Sequence, residues 1–125
     1  ENMSRPCDLD AIEARKLIGN KKLSPVELTK SCIEQIDKLN PSINAVVAID
    51  NADVLKQAKK AEDDVMSGSE LGLLHGLPVG IKDLNIVKNL RSTSGSKIYE
   101  NRIPENYIIK INFNLINFVI FKAII

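Results

Sequence analysis

Lys82 ends an apolar run and is followed at once by Asp83, within the stretch Leu73–Ser96 (LLHGLPVGIKDLNIVKNLRSTSGS). In that run Leu77, Val79 and Ile81 alternate with Pro78, Gly80 and Lys82, a strand-like spacing. Ligand sites in α/β sheets gather at the carboxyl ends of strands, where this lysine falls. Gly80 leaves room for close backbone approach. A free lysine titrates near about 10.4 and is charged at neutral pH. Burial lowers that value, and only the neutral amine takes up a proton. The chemistry on offer is therefore that of a buried general base. On spacing alone the alternative stays open: a surface lysine, or one paired with Asp83.

The other reactive side chains are sparse. His75 is the single histidine, so no second imidazole is at hand for a metal cluster. Cys7 and Cys32 show no C-x-x-C spacing and read as two reduced thiols, with Cys32 on the apolar face of a helix. No metal and no cofactor is expected, and the thiols suit a cytoplasmic setting. Formal net charge is +1, which gives no electrostatic case for nucleic acid or an acidic membrane surface. Aromatic residues are 4% and Trp is absent, so there is no stacking platform for single-stranded nucleic acid. Glu1–Asp10 holds no apolar leader core. Oligomeric state is not readable from the sequence.

The 125 residues suffice for one domain with a modest core. A short helix is predicted from about Asp8 to Ile18, with Asp10 and Glu13 as a cap pair and Gly19-Asn20 as its end. Ser24-Pro25-Val26-Glu27 is a capping box with Pro at the first helical position. Leu28, Cys32, Ile36 and Leu39 then recur at helical spacing, and Asn40-Pro41 is expected to stop the helix. Asn44–Ile49 reads as a buried strand. Asp50 or Asn51 caps a third helix, with Val54, Ala58, Ala61 and Val65 on its inner face and Lys56, Lys59, Lys60, Asp63 and Asp64 in solvent. Leu77–Ile81 is the next strand, Pro78 at its start, and Ser92–Ser96 is a loop. Alternating helices and strands make the class α/β.

Residues 108–125 differ in kind. Ile, Lys, Asn, Phe, Leu, Val and Ala account for all of them, and Phe113, Phe118 and Phe121 are the three phenylalanines of the chain. The stretch has no helical or strand period, and its lysines and asparagines make it a poor membrane span. The expectation is two regions: residues 1–107, and a divergent apolar low-complexity tail at 108–125. The tail's AT-rich-codon composition suggests a truncated, frameshifted or mis-assigned reading frame.

Four ordered pieces carry a resemblance. They are Ser24-Pro25-Val26-Glu27-Leu28, Ile36–Val47 (IDKLNPSINAVV), Leu74–Leu84 (LHGLPVGIKDL) and Thr93–Ser96 (TSGS). In this order and spacing they resemble the amidase-signature family, from about Leu17 to Pro104. The resemblance implies the N-terminal part of that family's fold, helices packed on a mixed sheet, incomplete in this chain. It also implies hydrolysis of carboxamide C–N bonds through an acyl-enzyme made by a Ser-cis-Ser-Lys triad, with Lys82 as the base. The substrate would be a small-molecule carboxamide, without nucleic acid or membrane. Both serines would come from a Gly/Ser-rich segment that nothing here matches, so the chain is expected to be inactive alone. Ser94-Gly95-Ser96 aligns with an element whose serine is not the nucleophile, and His75 has no triad role. Asp83-Leu84 fits a general amidase better than the glutamyl-tRNA amidotransferase A subunit, which tends to Asp-Asn there. That subunit stays open as an alternative, as does a non-catalytic remnant or binding module.

Overall fold

The computed structural model describes residues 5–106 and 119–123. A 3-10 turn, Pro6–Asp8, leads into helix α1 (Ala11–Gly19). Asp10 caps α1 through its carboxylate, which accepts from the Glu13 N–H at 2.8 Å. The expected single helix from Asp8 is thus split, because Leu9 and Asp10 are extended.

Helix α2 (Pro25–Ile43) starts as its cap predicts: the Ser24 hydroxyl accepts from the Val26 and Glu27 N–H groups. The same hydroxyl donates to Glu62 at 2.5 Å, on helix α3 (Asn51–Met66). Its C-terminus corrects the expectation. Pro41 sits inside the helix, which runs on to Ile43 and ends with Asn44 in the left-handed region. Proline removes one N–H but need not end a helix when the chain turns within a few residues. Asn40 makes the exit: its side-chain amide donates to the Val46 carbonyl and accepts the Val46 N–H, both at 2.8 Å. That pair opens strand β1 (Val46–Ala48), which is shorter than expected and half-buried rather than buried.

Asp50 caps α3, and Val54, Ala58, Ala61 and Val65 are its buried face. Lys59 and Lys60 pair with Glu62, Asp63 and Asp64 on the wet side. The core has two parts. Ala14, Ile18, Leu23, Leu28, Val65 and Leu77 form one, and Val54 and Ala58 pack under Val26, Ile33 and Ile49 in the other. Gly76 is required where the chain crosses α2. Its φ is +77°, and a Cβ there would lie 2.8 Å from the Pro25 ring.

Strand β2 (Pro78–Lys82) begins at its proline, as expected. Strand β3 (Val119–Ala123) lies within the tail and takes the middle of the sheet, order β1-β3-β2. It runs parallel to β2, Lys82 opposite Ala123, and antiparallel to β1. The sheet is therefore mixed. A periodless stretch becomes a strand because two partners supply its backbone hydrogen bonds, a non-local cause that sequence period cannot report. Residues 108–118 and 124–125 of the tail lie outside the described residues.

Candidate active site

Lys82 closes β2, and β2 is an edge of the described sheet. Burial falls along this segment, from Leu77 at 6% exposure, through a half-buried Pro78–Ile81, to an exposed Lys82. The buried environment expected for Lys82 is thus not formed by the described residues. The inward–outward alternation of Leu77, Val79 and Ile81 is likewise not seen, because Pro78–Ile81 are all half-buried.

Asp83 turns the opposite way from its neighbour. It is 4% exposed, and its carboxylate accepts from the Thr93 N–H at 3.1 Å and from the Thr93 hydroxyl. Thr93 Oγ1 in turn accepts the Gly95 N–H at 3.2 Å. A buried carboxylate needs such donors, since a charge taken from water without them is costly. This clasp ties the turn after Lys82 to the Thr93–Ser96 loop. The sequence pattern marked the loop but did not reveal the acceptor. The signal was present in the Lys-Asp pair followed ten residues later by Thr93.

The loop is held by two arginines. Arg102 donates to the Ser92 carbonyl at 2.8 Å and to the Ser94 hydroxyl at 2.7 Å, and its guanidinium lies 4.1 Å over the Tyr99 ring centre. Arg91 donates to the Val47 carbonyl of β1 and, at 3.3 Å, to that of Glu100. Ser94 and Ser96 are both engaged in holding the loop, Ser96 by accepting the Ile98 N–H. His75 is fully buried. Its Nε2 donates to the Ala61 carbonyl at 2.9 Å, so it is a core residue tied to α3. Cys32 is half-buried, and burial, then the charge of nearby Cys7, pushes its thiol up to about 11.

Among the described residues, no group of three or more His, Cys, Asp or Glu is arranged to hold a metal ion. No described helix is long and apolar enough to cross a membrane.

A family model described as Amidase matches residues 27–107. The chain is 40% identical over 84 residues to the A subunit of the glutamyl-tRNA(Gln) amidotransferase of Acaryochloris marina, covering 67% of this chain and 17% of that protein. It is 39% identical over 89 residues to an acylamidase of Rhodococcus erythropolis, covering 71% and 19%. In fold it is similar to the peptide amidase of Stenotrophomonas maltophilia, TM-score 0.83 at 22% identity, over 93% of this chain and 24% of that one. A bacterial aryl acylamidase of the amidase-signature family gives TM-score 0.82 at 23% identity, over 92% and 25%. The chain thus spans under a fifth of the length of these curated relatives. The ordered motifs, the helices on a mixed sheet and the matched segment agree: this chain belongs to the amidase-signature family and holds the N-terminal part of its fold.

Proposed function

We propose that this chain carries the general base of a site that hydrolyses carboxamide C–N bonds, and that Lys82 is that base. The observation that supports this is its place: the last residue of β2, exposed, beside a carboxylate that is buried and clasped by Thr93. In a Ser-cis-Ser-Lys triad the lysine takes a proton from the bridging serine, which relays it from the nucleophilic serine. A hydroxyl attacks only when a positioned base removes its proton. Lys82 is exposed among the described residues, and a base acting in catalysis would have further protein packed over the carboxyl end of β2. The substrate is a small carboxamide, in the cytoplasm, with no cofactor. Residues 1–107 form the amidase portion, and 108–125 have diverged in sequence.

The chain alone is proposed to be inactive, because nothing in it matches the Gly/Ser-rich segment that supplies the serines. Assay on a panel of carboxamides is expected to show no turnover. Turnover lost with Lys82→Ala would overturn that reading. The role of Lys82 is tested in a chimera in which residues 27–107 replace the matching part of a complete acylamidase. Lys82→Ala is expected to cost at least about a hundredfold in kcat there, and full retention would remove it from the mechanism. A second reading, part of an amidotransferase A subunit, is supported by the 40% identity to such a protein. Activity of the chimera without partner subunits favours the amidase.

A further inference from the structure

We propose that Cys7 and Cys32 are an oxidisable pair: on meeting a low-molecular-weight disulfide they form an intramolecular disulfide that staples the amino-terminal segment to α2. They are the two cysteines of the chain, and both are free and half-buried. The turn Pro6–Asp8 lies on α2. The Cys7 N–H donates to Ser31 Oγ at 3.2 Å, and Arg5 donates to Gln35 at 2.7 Å one turn further along. Ser31 immediately precedes Cys32. Cys7 is therefore held against the residue next to Cys32, and a disulfide would bring their Cα atoms to about 4.4–6.8 Å. Leu9, two residues after Cys7, packs with Cys32 against the same core cluster.

With glutathione disulfide as oxidant the reaction balances. The Cys7 thiolate attacks one sulfur, the S–S bond breaks, and one glutathione thiolate leaves. Cys32 gives its proton to solvent, and its thiolate attacks the Cys7 sulfur of the mixed disulfide, expelling the second glutathione. Two protein thiols are oxidised and one disulfide is reduced to two thiols. The raised value of Cys32 slows the second step near neutrality and quickens it as pH rises.

The test treats the dilute full chain with glutathione disulfide, in buffer and in urea, quenches with iodoacetamide and maps peptides by mass spectrometry. In buffer, the expected product lacks two hydrogen atoms and joins the Cys7 and Cys32 peptides. The ratio of this cross-link to mixed disulfides is expected to fall at least about tenfold in urea, because folding supplies the local concentration. Cys32→Ser is expected to leave only the mixed disulfide on Cys7. Equal ratios in buffer and urea, mixed disulfides alone, or cross-links only between chains would each overturn the proposal. The wild-type comparison does not depend on the variant folding.

Discussion

The helical layer and the segment from β2 to Pro104 hold themselves together by different means. In the helices Ile18 and Ala58 are fully buried and Val54 is 2% exposed. Helices α1, α2 and α3 each start on a side-chain cap: Asp10, Ser24 and Asp50. In the second region Leu84 is 62% exposed, Ile98 88% and Ile103 64%. Its order comes from polar ties: Asp83 to Thr93, Arg102 to Ser92 and Ser94, Arg91 to Val47. The helices carry packing, and the Lys82 region carries placement. Leu84, two residues after Lys82, is among the exposed apolar side chains of this region.

The largest test of this contrast is Ile18→Ala. It removes a fully buried side chain shared by α1, α2 and Gly76. A loss of about 2–5 kcal/mol is expected in denaturant unfolding. Leu84→Ala, on the exposed side, should stay within about 0.5 kcal/mol. Similar losses at both positions would erase the distinction.

Asp83→Ala comes next. It strands the Thr93 N–H and hydroxyl in a mostly buried site, at about 1–3 kcal/mol. The sharper readout is local: hydrogen exchange at Thr93 should speed up while α1 and α3 keep their protection. Uniform loss of protection would mean that the clasp supports the whole fold.

A smaller effect concerns acid. The Lys59 ammonium, and then the Ser24 hydroxyl, hold the Glu62 carboxyl below its ordinary value. A depressed folded-state value contributes stability above the unfolded value, lost as pH falls through the folded one. The melting temperature of wild type should therefore exceed that of Glu62→Gln near neutrality, and the gap should close below about pH 4. The gap should be small, because Glu62 is only partly buried and its ion pair with the exposed Lys59 is screened. A gap that widens in acid would reverse the assignment. Smallest of all is Lys82→Ala. An exposed side chain at the end of an edge strand should change stability by no more than about 0.5 kcal/mol. A larger loss would give Lys82 a structural job and weaken its reading as a base held for chemistry.

Local rules were legible in the sequence. The Ser24 cap with Pro25 at the first helical position, the Asp50 cap, the buried face of α3 and the proline start of β2 all stand as read. Each depends on neighbours within about one or two helical turns, which is the range over which caps and periodicity act. Pro41 went the other way, since the Asn40–Val46 clasp lets the helix run past its proline.

The sequence by itself determined the order of the motifs, hence the family, and the identity of Lys82 as the residue at the strand's end. Only the tertiary structure decided three further things. It put residues 119–123 between β1 and β2, turned Asp83 inward onto Thr93, and left Lys82 exposed. The reason is common to all three. Strand pairing, side-chain satisfaction and burial depend on what stands opposite in space, and for Lys82 the described fold places nothing there that would bury it.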